Sequence, residues 1–82
     1  MNEYAKLEWR CRRGMRELDL LLGRFLKSQY NSLTDVDRDL FTQFLEEPNE
    51  KIMACLLGNA IPDDRYTDLI ERIRAHGVVA ST

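Results

Sequence analysis

A chain of 82 residues has room for one domain, and a domain this small hides only roughly 60% of the surface its unfolded chain exposes. A deep substrate pocket would consume much of so thin a core, which favours a binding or scaffold protein. Apolar residues at 44% and charged residues at 32% give a globular balance, and a net charge of −2 offers no global field to nucleic acid.

Helical spacing of apolar residues recurs throughout, and no stretch alternates over the length of a strand. The pattern predicts an all-α fold, a compact bundle of about five short helices, with a core over about residues 3–76. The first helix is expected from about Glu3 to Arg12, capped by Asn2, with Tyr4, Leu7 and Cys11 on its buried stripe and Trp9 off it. Gly14 marks a tight corner, because glycine tolerates backbone angles that other residues avoid.

The second helix, about Met15 to Tyr30, is the most apolar, with Met15, Leu18, Leu21, Leu22, Phe25 and Leu26 forming a broad inward face. Gly23 within it suggests close approach of a neighbouring helix. After a connector at Tyr30 to Leu33, Thr34 caps a third helix whose expected inward residues are Val36, Leu40, Phe41, Phe44 and Leu45. Pro48 ends that segment, since proline disfavours helical geometry in the residue before it.

A fourth helix, about Asn49 to Leu57, turns Ile52, Met53, Leu56 and Leu57 inward and stops at Gly58. Asp63 caps the fifth, whose stripe is Tyr66, Leu69, Ile70 and Ile73, and Gly77 ends it. Residues 77–82 read as a loose tail on a single domain spanning 1–82.

The segment that calls for a function is Arg10 to Glu17. Arg10, Arg12, Arg13 and Arg16 crowd into seven residues of a chain that is acidic overall. One reading is a solvated corner between helices. The other is a docking site, because guanidinium groups offer planar, multi-donor recognition of carboxylates. At 100° per residue, Arg16, Glu17, Leu20, Arg24 and Lys27 share the outer side of the second helix. Leu20 among charges, with Trp9 nearby, suits an interface, where aromatic and arginine anchors dominate. Asp19 lies at the edge of the apolar stripe and needs a partner, which an arginine of the corner can supply; that would make it a positioning residue.

Catalytic arrangements are poor. The one histidine, His76, sits at the end of the last helix, and no serine or cysteine triad can be assembled around it. The four glycines, at 14, 23, 58 and 77, form no phosphate loop. Two separated cysteines and one histidine fall short of the ligands zinc requires, so no metal site is expected. No apolar run approaches the roughly 20 residues that span a bilayer, and the first residues do not resemble a secretory signal. Direct membrane insertion is therefore not expected, and the cytoplasm is the default location.

The run Arg12-Arg13-Gly14-Met15-Arg16-Glu17-Leu18-Asp19 resembles the signature of the succinate dehydrogenase flavinylation factors, the SdhE family of bacteria. The Arg-Gly-x-x-Glu hallmark is matched by Arg13, Gly14 and Glu17. Trp9 before it, Phe25 after it, the Ser32-Leu33-Thr34-Asp35 helix start and the acidic break at Pro48 extend the likeness over about residues 3–75. One departure is Cys55, where members of the family often carry tryptophan.

The resemblance implies a five-helix, non-enzymatic assembly chaperone for the flavoprotein subunit of succinate dehydrogenase, and in some bacteria of fumarate reductase. Such a factor promotes covalent attachment of FAD to that partner; the FAD belongs to the partner and is not tightly held by the factor, which is expected to be a monomer. Carried over by position, Arg13, Gly14 and Glu17 would lie at the contact, with Lys6, Trp9, Arg12, Met15 and Asp19 around them.

Rival readings remain at this point. Relatives have been labelled antitoxins that neutralise a membrane-associated toxin, and a small membrane partner would then replace the flavoprotein. A helix-turn-helix DNA binder would need strongly salt-dependent affinity, which the acidic balance opposes. A flavin-transferring enzyme would need a nucleotide cradle, and none is legible.

Overall fold

The computed structural model describes residues 2–77, and within them the chain forms five α-helices and no strand. These are α1 (Glu3–Arg10), α2 (Arg16–Gln29), α3 (Asp35–Phe44), α4 (Asn49–Leu56) and α5 (Thr67–Gly77), with 3₁₀ turns at Tyr30–Ser32 and Asp64–Tyr66. Gly77 is the last residue of α5, and the expected loose tail beyond it lies outside the described residues.

Local chemistry sets the boundaries. The Asn2 side chain accepts from the Ala5 amide at 2.7 Å and starts α1. Thr34 and Asp37 form a reciprocal capping box on α3: Thr34 Oγ1 accepts from the Asp37 amide, and Asp37 Oδ2 accepts from the Thr34 amide. Gly58 takes a φ of +80°, the left-handed value that closes α4. The Asp63 side chain accepts from the Arg65 amide, so it caps the 3₁₀ turn that leads into α5 rather than α5 itself.

One apolar cluster unites all five helices. Leu18, Leu22, Phe25 and Leu26 of α2 are fully buried and form its centre. Phe41 of α3 meets the Phe25 ring edge-on at 5.3 Å between centroids, and Phe44 meets Tyr66 at 5.2 Å. Leu7 of α1 and Cys11 just beyond its end close the cluster on one side, with Ile52, Cys55 and Leu56 from α4, and Leu69, Ile70 and Ile73 from α5. Cys55 therefore fills core space. Leu33, in the connector before α3, is also buried, although nothing in helical periodicity marks it. The radius of gyration, 11.7 Å, is what about 80 residues occupy in a single compact unit, about 11–12 Å.

Two residues expected inside stand outside. Val36 is 67% exposed and Leu57 is 59% exposed. Each lies five positions from a fully buried residue of its own stripe, Phe41 and Ile52 respectively, which is about 140° around a helix. Gly23 also departs from expectation. A methyl group built on it would meet nothing within 4 Å, so no neighbouring helix approaches there.

Among the described residues, no helix is long and apolar enough to cross a membrane. The ion pairs that tie the elements together join Arg38 to Glu3 and Arg72 to Asp37, at 3.4 and 3.2 Å.

Candidate functional site

The corner between α1 and α2 is held open by hydrogen bonds that converge on Arg13. Its backbone amide donates to Asp19 Oδ1 at 2.7 Å, and its backbone carbonyl accepts from Asn49 Nδ2 at 3.3 Å. Its guanidinium donates to Asn49 Oδ1 at 2.8 Å, to the Arg10 carbonyl at 3.0 Å and to the Glu47 carbonyl at 3.1 Å. The planar fork of arginine suits this task, because one side chain can serve three acceptors in fixed directions. These bonds tie the end of α1 and the start of α2 to the start of α4.

With Arg13 fixed on both sides of its backbone, the chain must reverse at the next residue. Gly14 does so with φ at +79°, a conformation that costs a residue with a Cβ roughly 1–2 kcal/mol. The bend faces solvent: Gly14 is exposed, and a Cβ built on it finds nothing within 4 Å. Met15 then serves as the N-cap of α2 without a side-chain cap of its own, its side chain packed part-buried against the core.

Asp19 has the partner that its position demands, and an arginine of the corner supplies it, through its backbone. A backbone amide, that of Arg13, takes the place of a guanidinium. This bond ties the first turn of α2 to the residue before the bend. Asn49 is the residue that sequence reasoning missed. Its only signal is an amide side chain directly after Pro48, at the first position of a helix.

Around the bend lie groups that the fold leaves free. Arg10, Arg12, Arg16 and Glu17 are all exposed. Among the described residues, the ion pairs are Arg38–Glu3, Lys51–Glu47, Arg65–Asp63 and Arg72–Asp37, and none involves these four. Trp9 is 66% exposed, with the Arg12 guanidinium 5.7 Å from its ring centroid, within range of a cation–π contact. Leu20, on the same outer side of α2 as Arg16, Glu17, Arg24 and Lys27, is 44% exposed. Lys6 stands apart from this group. It is exposed on α1 and lines, with Glu3, Leu7, Arg10 and Thr42, a groove that opens toward α3.

The corner holds no reactive thiol. Burial pushes Cys11 up to about 12, against the lowering influence of the nearby Arg13, so the group is a neutral thiol at physiological pH. Among the described residues, no cluster of His, Cys, Asp and Glu side chains could hold a metal ion. The corner thus presents an exposed glycine bend, guanidinium and carboxylate groups that no ion pair among the described residues engages, and two exposed apolar side chains.

Comparison with known proteins converges on one family. The family model described as "Flavinator of succinate dehydrogenase" matches residues 5–77. The FAD assembly factor SdhE of Coxiella burnetii is 39% identical over 70 residues, covering 84% of this chain and 85% of that protein. Its counterpart in Xylella fastidiosa is 39% identical over 74 residues, with 89% and 76% covered. That of Shewanella oneidensis is 35% identical over 71 residues, with 85% and 87% covered. The antitoxin reading finds no support in these descriptions. No solved structure matches the chain.

Proposed function

The chain belongs to the family of succinate dehydrogenase flavinators, and we propose that it acts as an FAD assembly factor, binding the flavoprotein subunit of succinate dehydrogenase. Fumarate reductase, whose flavoprotein subunit poses the same task, is the second client. The observation that carries this reading is the corner itself. A left-handed glycine stands exposed between helices, ringed by Arg10, Arg12, Arg16 and Glu17, none of which is used by an ion pair among the described residues.

Each residue has a part. Gly14 presents backbone with no side chain, so the surface of the flavoprotein can approach it closely. Glu17 and the free guanidiniums of Arg12 and Arg16 supply directional, charge-assisted contacts beside it. Trp9 adds a large apolar surface at the rim. Arg13, Asp19 and Asn49 keep the bend in place, and Met15 anchors it to the core. Lys6 contributes at the margin.

The bond between FAD and protein forms within the flavoprotein. This chain contributes no catalytic group and no tightly bound flavin. Its role is to favour the conformation of the partner in which that bond forms, which requires only that it bind this conformation more tightly than the others. A monomer in the cytoplasm, meeting the flavoprotein before the enzyme is fully assembled, is sufficient for the task.

Covalent flavin gives the test. In a strain lacking the gene, in-gel flavin fluorescence of the succinate dehydrogenase flavoprotein is expected to fall, and the wild-type gene is expected to restore it. Glu17→Ala, which alters an exposed side chain outside the core, should restore little of it. Full restoration by Glu17→Ala would remove the corner from the function, and undiminished fluorescence in the deletion strain would remove the function itself.

A further inference from the structure

Gly23 lies one helical stretch beyond the corner, and the structure gives it no packing role. It lines an open groove between α1 and α2 of about 410 Å³, walled by Glu8, Cys11, Arg12, Asp19 and Leu20. Glycine inside a helix is a destabilising choice, and here neither a turn nor a neighbouring helix accounts for it. The groove is continuous with the corner, because Arg12 and Asp19 belong to both. Its apolar lip is Leu20, and Trp9 flanks it through Arg12.

Charge identifies the kind of segment that fits. Residues 1–33 carry seven arginines and lysines against four acids, a balance of +3, whereas residues 34–82 carry five against ten, a balance of −5. Arg16, Arg24 and Lys27 share the outer side of α2 with a single acid, Glu17; all four are exposed, and no ion pair among the described residues engages them.

We infer that the space above Gly23 receives an apolar side chain of the flavoprotein carried on an acidic segment, whose carboxylates lie against Arg16, Arg24 and Lys27. This rests on the reading of the chain as a partner of that flavoprotein and names the part of the partner that the α1–α2 face takes. Any side chain at position 23 would occupy the same space. The glycine is thus kept for the complex at the expense of helix stability.

Gly23→Leu separates the two roles. A Cβ there meets nothing within 4 Å in the free protein, the groove offers open space beyond it, and leucine improves helix propensity, so the variant should melt no lower than wild type. Its affinity for the purified flavoprotein subunit, measured by calorimetry, should nevertheless fall by about tenfold or more. Ala75→Leu, which fills the separate groove between α4 and α5, should bind as wild type does. Wild-type affinity should weaken as ionic strength rises, and Arg24→Glu should remove much of that dependence.

A Gly23→Leu protein that binds within about twofold of wild type would overturn the inference while leaving the functional reading intact. An equal loss from Ala75→Leu would place the partner elsewhere and overturn it too, and a salt-insensitive affinity would overturn the acidic character of the segment. A wild-type chain that fails to bind the flavoprotein would remove the functional reading, and this inference with it.

Discussion

Arg13 differs from the other arginines of the corner in that its guanidinium turns inward. It bonds to Asn49 and to the carbonyls of Arg10 and Glu47. Hydrogen bonds to a charged group contribute about 1.5–3 kcal/mol, and the loss of a donor leaves part-buried acceptors unsatisfied. Arg13→Ala is therefore expected to lower the stability of the fold by about 2–3 kcal/mol in chemical denaturation. Arg13→Lys should recover only part of that loss, because an ammonium cannot reproduce the fork. Arg12→Ala, at an exposed side chain, should leave the unfolding midpoint nearly unchanged. The sequence marks both arginines as members of one cluster, and single-residue chemistry cannot divide them. The division comes from Asn49, brought to Arg13 from 36 positions away, a distance over which no local pattern carries information.

Helix boundaries were the most legible feature, because they are written in adjacent residues. Thr34 and Asp37 are spaced for a capping box and form one. Thr34→Ala should destabilise the fold by about 1 kcal/mol. Asp37 also accepts from Arg72 at 3.2 Å, and its hydrogen bonds, that from the Thr34 backbone first, hold its carboxyl below the ordinary value of 3.8. A carboxyl with a lowered folded-state value adds stability above its unfolded value, and that stability is lost as pH falls through the lowered one. Asp37→Asn should accordingly be less stable than wild type at neutral pH. The gap should close below about pH 4, a trend that thermal melts across an acid titration would reveal. Faces were less legible than ends. Periodicity placed Phe41, Phe44 and Ile52 correctly, yet it could not set the edges of a stripe on helices of 8 and 10 residues, and Val36 and Leu57 fell beyond those edges. Gly23 suggests close approach of a neighbouring helix, and none comes within 4 Å. Sequence shows that a side chain is absent but not whether a neighbour fills the space.

The molecule as assembled is polarised. Its positive half, α1 and α2, carries the glycine bend, the exposed Trp9 and the groove over Gly23, and its negative half carries three of the four ion pairs found among the described residues. α4 belongs to the negative half and starts beside the corner. Asn49 at its start is bonded to Arg13, and its eight residues rise about 12 Å toward Leu57 and the 94%-exposed Ile61 beyond. That geometry allows a direct comparison of the two ends. A photo-reactive amino acid placed at Arg10, exposed beside the bend and joined to it through its backbone carbonyl, should cross-link to the flavoprotein subunit of succinate dehydrogenase, and the same group at Ile61 should not. Cross-linking from Ile61 with none from Arg10 would contradict the assignment of the corner as the docking surface.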